Sequence, residues 1–170
     1  MKTIIILILL TMSSSILNGQ TLPQVDIHQY EGSWFVIGYK PSALDKKWID
    51  TEEIYTWDEK KGRYDVVTKY KKGPGGKQKT ITQKLLPVSN SGNARWIARI
   101  FLFIRADYVV YKIADDYSYV VVGHPKQKYL YIMSRKPQMN QELYDDLVGF
   151  SLTLGYKKEE IVKHVQESRI

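Results

Sequence analysis

Between Ser33 and Arg135 apolar and polar residues alternate in short runs, each stopped by turn-forming residues. Residues 34–39 form the first run, closed by Pro41. Residues 53–57 form the second and are followed by Asp58-Glu59-Lys60-Lys61-Gly62, a hairpin turn. In the third, residues 64–70, Tyr64, Val66, Thr68 and Tyr70 share one face while Asp65 and Lys69 take the other, the period of a strand. The sequence Gly73-Pro74-Gly75-Gly76 then forces a turn. Further runs cover residues 80–86, 94–100, 108–113, 117–122 and 129–134. Eight strands joined by hairpin-length links predict an antiparallel meander. Eight is also the number at which a sheet closes into a barrel able to hold one small ligand, and closure removes its exposed edges. A two-sheet sandwich fits the same pattern. Helical spacing begins only after Pro137: Asn140 can cap a helix whose Leu143, Leu147, Phe150 and Leu154 fall on one stripe, ended by Gly155. That stripe predicts a helix packed outside the last strands, with residues 161–165 as a short final strand.

The first 19 residues follow another rule. Lys2 precedes the unbroken apolar run of residues 4–10, and small polar residues lead to Gly19. This is the order of a secretory signal, and the run is too short for a membrane span, which needs roughly 20 apolar residues. Cleavage is expected after Gly19, with Ser15 as the competing site. Residues 20–170 then form one domain, exported to a periplasm or secreted. No internal repeat or linker marks a second one.

Composition narrows the chemistry. The chain of 170 residues has no cysteine, which excludes disulfides, thiolate metal sites and a cysteine nucleophile. Its three histidines, His28, His124 and His164, stand singly, so no metal site is expected. The net charge of +7 and the 13 tyrosines raise the question of nucleic-acid binding. The export signal and the mixing of basic residues with Glu52, Glu53, Asp58 and Glu59 argue against it.

The entry into the first strand, Asp26-Ile27-His28-Gln29-Tyr30-Glu31-Gly32-Ser33-Trp34-Phe35, resembles the start of a lipocalin, where a short helical turn leads to G-x-W. Ser134-Arg135-Lys136-Pro137 closes the eighth run just before the helix, where that family carries an Arg that packs across the Trp face. Asp115 matches one residue of the family's intervening T-D-Y motif; its neighbours here do not. The resemblance spans residues 23–166, and residues 117–137 look most like the bacterial outer-membrane subgroup. It implies an all-β, eight-stranded up-and-down barrel with one C-terminal helix outside. It makes Gly32, Trp34, Asp115 and Arg135 structural residues. It also implies a carrier or scavenger of a small hydrophobic ligand, such as a fatty acid or lysophospholipid, with a role in membrane lipid handling. No cofactor is implied. Members of the subgroup carry a lipid-anchored Cys; this chain has none, so it is expected without an anchor.

Within such a barrel alternate residues face inward. That parity, with the family alignment, nominates Tyr64, Val66, Tyr70, Ile81, Leu85, Trp96, Val120, Val122, Tyr129, Tyr131 and Met133 as ligand-binding. Four loops, at residues 41–50, 71–77, 101–107 and 123–128, are expected to rim the mouth. They bring Trp48, Phe101 and Phe103 together with Lys126 and Lys128. Basic charge around exposed apolar residues suits an anionic headgroup and transient contact with an anionic membrane surface. A few lipocalin-like proteins are enzymes, acting on lipid or isoprenoid substrates. Catalysis would need an acid, base or nucleophile at the pocket. No compact motif supplies one, so a non-enzymatic carrier is expected.

Overall fold

A computed structural model describes residues 16–17, 19–101 and 104–167. The expected signal segment lies mostly outside these residues; Ile16–Leu17 pair with Gln20–Thr21 in a short antiparallel ladder.

Eight antiparallel strands close on themselves: β1 (Gly32–Lys40), β2 (Trp48–Asp58), β3 (Arg63–Lys72), β4 (Lys79–Pro87), β5 (Arg95–Ile100), β6 (Ile104–Ile113), β7 (Tyr119–Gly123) and β8 (Leu130–Ser134). Each pairs with the next, and β8 returns to β1 from Leu130↔Lys40 to Ser134↔Phe35. That last pairing makes a barrel rather than a sandwich. A helical turn, α1 (Ile27–Tyr30), precedes β1; Asp26 caps it by accepting from the His28 and Gln29 amides. Helix α2 (Gln141–Thr153) is capped by Asn140 and followed by Gly155 at φ +91°.

Several strand starts differ from the hydropathy reading. Strand β2 begins at Trp48, not at residue 53. A bulge between Ile49 and Glu52, with Asp50 at φ +51°, breaks the alternation there. Strand β6 begins at Ile104, so the third mouth loop is shorter than expected. Strand β7 begins at Tyr119, because Tyr117 sits at φ +56° in the preceding turn.

Period-two alternation sorts the buried residues into two sets. Val120, Val122 and Met133 point into the barrel, while Val121, Leu130 and Ile132 point out to meet Tyr144, Leu147 and Val148 of α2. Strand β1 pairs with β2 only from Gly32↔Tyr55 to Phe35↔Glu52. Beyond Phe35 the two strands part, and the C-terminal segment fills the seam. There β9 (Val162–Lys163) pairs with Tyr39 and Gly38. The His164 amide donates to Ile37 O (2.8 Å), the Asp50 amide donates to Val165 O (2.8 Å), and Gln166 Nε2 donates to Val36 O (2.8 Å) and Thr51 O (3.0 Å).

Tyr156, after α2, locks the outer layer to the barrel. Its hydroxyl donates to Tyr129 O (2.7 Å) and accepts from the His124 amide (3.1 Å). It does so over Gly123, where an added Cβ would collide with that hydroxyl and lie 3.1 Å from Tyr129 O. Gly123→Ala is therefore expected to destabilise the fold by roughly 1–3 kcal/mol, as overpacking does. Urea denaturation reads it; an unchanged midpoint would contradict the tight contact.

Candidate functional site: the barrel interior

The two ends of the barrel differ. At the closed end Trp34 is fully buried and donates its indole N–H to Tyr30 O (2.9 Å). The Arg135 guanidinium lies over its ring, with Cζ 3.7 Å from the centroid. Nη1 donates to Glu31 O (2.8 Å) and Ser33 O (3.0 Å), Nη2 to Gln29 O (2.6 Å) and Nε to Tyr117 O (3.2 Å). One cation thus satisfies four carbonyls from two chain segments and covers an aromatic face. Gly32 makes room for it: φ is +92°, and a Cβ would come within 3.4 Å of Nη1.

Above this plug Tyr30, Tyr55, Tyr64, Trp57 and Trp96 pack ring against ring, with centroids 5.0–6.3 Å apart. The layer ends at Glu53, Thr68 and Tyr108, and above it a cavity of about 230 Å³ opens towards the mouth. Ile81, Gln83, Ala98, Ile100 and Ala106 form its walls; Ser42, Leu44, Trp48, Lys128, Tyr129 and Tyr131 surround its upper part.

Two carboxyl groups stand inside this half. Glu53 lines the cavity floor and is 6% exposed. Burial raises its pKa, opposed by hydrogen bonds from the Tyr55 and Thr68 hydroxyls. Asp45 belongs to the first mouth loop and is 2% exposed. Its Oδ1 accepts from the Ser42 amide (2.7 Å) and hydroxyl (2.8 Å), and its Oδ2 from the Tyr131 hydroxyl (2.5 Å). Asp45 therefore ties the loop to the wall of β8. Burial, reinforced by the Asp45 charge, holds the Tyr131 hydroxyl protonated far above the usual tyrosine range.

The family model described as a lipocalin-like domain matches residues 25–166. The chain belongs to the lipocalin family. This lipocalin is 28% identical over 148 residues to temperature-induced lipocalin-1 of Arabidopsis thaliana, covering 84% of this chain and 80% of that protein. The barrel superposes on insecticyanin of the tobacco hornworm Manduca sexta with a TM-score of 0.68 at 14% identity, over 92% of this chain and 88% of that one. Lobster apocrustacyanin A1 gives 0.63 at 16% identity, over 82% and 78%. At such identities these likenesses concern the fold.

Of the residues nominated for the ligand, Ile81, Tyr129 and Tyr131 line the cavity of this lipocalin. The others lie elsewhere. Tyr64, Val66, Leu85, Trp96, Val120, Val122 and Met133 face inward and pack in the barrel core with the rings of Trp34 and Tyr30, and they do not line the cavity. Tyr70 is buried with its ring stacked on that of Trp48, centroids 3.7 Å apart, and does not line the cavity. Trp48, assigned to a mouth loop, is the first residue of β2 and lines the cavity, as Lys128 does. Phe101 and Lys126 are exposed, while Phe103 lies outside the described residues. Asp115 is exposed in the turn before β7, and it is Asp116 that accepts the Ser118 amide there (3.0 Å). The residues missed include Glu53, Tyr108, Ser42 and Leu44. A signal for Glu53 was present: it shares parity with Tyr55 and Trp57 on one strand.

Proposed function

We propose that this lipocalin binds one small amphiphile in the upper cavity and carries or scavenges it, the preferred class being a fatty acid or lysophospholipid. The observation that carries the reading is the cavity itself: about 230 Å³, walled by aliphatic and aromatic groups, with Lys128 at its rim. That volume is below the roughly 300–1,000 Å³ of sites for drug-sized ligands. A long chain would therefore leave part of its length outside the mouth. Leu44 (47% exposed), Phe101 (64%) and Ile104 (50%) stand there to meet it, or to meet a lipid surface. The signal-like residues 1–19 support export, and the lysines of the mouth loops support transient contact with an anionic membrane.

Each buried methylene contributes about 0.8 kcal/mol whatever the headgroup. Chain length should therefore set most of the affinity. A solvent-exposed lysine adds little, so decanoate should bind better than decanol by at most about fivefold, and less as salt rises. Fluorescence titration checks this, since Trp48 lines the cavity. Lys126→Gln with Lys128→Gln should remove the preference and keep binding. Equal affinity for acid and alcohol at low salt would leave only an apolar carrier; no binding of either would end the carrier reading.

Glu53 also gives the alternative, a lipocalin-fold enzyme on a lipid or isoprenoid, its first requirement: an acid inside the barrel. Turnover of such a substrate that disappears in Glu53→Gln would select that alternative.

A further inference from the structure

The cavity has opposite charge at its two levels. Lys128 stands at the rim and Glu53 at the floor. Of the other buried carboxyl groups, Glu52 lies 3.7 Å from Lys69 and Asp50 lies 2.9 Å from Lys71, while Asp45 is held by Ser42 and Tyr131. Among the described residues, no lysine, arginine or histidine forms an ion pair with Glu53. Its hydrogen-bond partners are hydroxyls. The Tyr55 hydroxyl donates to Glu53 Oε2. The Tyr108 hydroxyl lies 2.9 Å from that of Tyr55, and the Tyr30 hydroxyl 2.7 Å from that of Tyr108, so three tyrosine hydroxyls run in series to the carboxyl, and Thr68 adds a fourth. Burial without a cation raises the pKa of this carboxyl, and an arriving cation would restore its charge. Above it stand the rings of Trp48, Tyr108, Tyr129 and Tyr131, the surroundings in which an ammonium group is held by cation–π attraction.

We infer that the cavity floor is a site for a protonated amine, which enters head-first so that its ammonium pairs with Glu53 while its apolar part fills the chamber above. The inference rests on the reading that the cavity binds a ligand, and it adds a second ligand class to it. An acid would sit head-out, under Lys128, because the cavity floor offers it no cation. An amine would sit head-in. A charge-assisted pair out of water is stronger than the neutral hydrogen bond an alcohol makes at the same place.

The test uses the full mature chain with n-octylamine, n-octanol and n-octanoate, read by Trp fluorescence. Octylamine is expected to bind at least about tenfold tighter than octanol. In Glu53→Gln the two should fall within about twofold of each other, while the octanoate-to-octanol ratio stays unchanged or rises. Calorimetry in buffers of different ionisation enthalpy should show proton release on amine binding, absent in the variant. Octanol and octanoate binding with no preference for the amine would overturn this inference and leave the carrier reading intact. Failure of all three to bind would remove the carrier reading. Circular dichroism establishes that the variant is folded. If it is not, the wild-type comparison alone decides, and an amine that binds no better than the alcohol overturns the proposal.

Discussion

Trp34→Ala is expected to lower the stability of the protein by about 3–5 kcal/mol while changing affinity for an alkyl ligand by no more than about twofold. The indole is fully buried, packed 5.3 Å from the Tyr30 ring and covered on its other side by Arg135. Removing it opens a void that the neighbours cannot close, since the Arg135 guanidinium is pinned to carbonyls of Gln29, Glu31, Ser33 and Tyr117. The indole N–H bond to Tyr30 O is lost as well. Against the roughly 5–15 kcal/mol that holds a typical domain together, this is a large fraction. The ligand cavity is insulated from the damage by the layer of Tyr30, Tyr55 and Tyr108. Urea denaturation and octanol titration on one preparation measure both quantities. A variant that melts like the wild type but no longer binds would place Trp34 at the ligand and refute the closed-end assignment.

What was legible in the chain follows from the same geometry. The parity of Tyr64, Val66, Thr68 and Tyr70 was readable because a strand alternates with period two and this one contains no bulge. Val120, Val122, Tyr131 and Met133 were readable for the same reason. How far down the barrel a ligand could reach was not, because that depends on volume. One row of inward residues can fill a barrel or line a cavity, and only the meeting of Trp34, Trp96 and Tyr64 decides that the lower half is solid. The upper half was obscured where β2 bulges: Trp48 and Glu53 lie on either side of Asp50 and Thr51, so simple alternation does not connect them. Hydropathy hides Glu53, because a charged residue is usually a solvated one. Its parity with Tyr55 pointed the other way and was the better guide. The closing of the β1–β2 seam by residues 162–166 was beyond hydropathy altogether, since His164 and Gln166 are polar and act there by hydrogen bonding to strand backbones.

That seam should make the protein acid-sensitive. His164 is 9% exposed, with its ring edge against Tyr39 at 5.0 Å. Its Nε2 accepts the Thr51 amide (3.2 Å), which requires the neutral ring with the proton on Nδ1. Burial pushes its pKa down from 6.5 to about 4, and the nearby carboxylates of Asp45 and Asp50 only partly oppose this. A base whose folded pKa is depressed binds fewer protons in the folded than in the unfolded state between those two values. Its stabilising contribution is therefore complete above pH 6.5 and is lost as pH falls through 6.5 towards 4. The displacement corresponds to roughly 3 kcal/mol. Other groups also differ between the folded and unfolded states: burial lowers the pKa of His124 and raises that of Glu53. The informative quantity is therefore the difference from His164→Asn, which keeps an acceptor near the Thr51 amide and cannot protonate. Wild-type stability should fall by roughly 3 kcal/mol more than that of the variant between pH 7 and pH 4, measured by urea denaturation. Parallel curves would mean that His164 does not carry the effect. Protonation removes the acceptor of the Thr51 amide in the wall beside the mouth loop that Asp45 holds. Faster hydrogen exchange at Thr51 and Asp50 should therefore precede global unfolding as the pH is lowered.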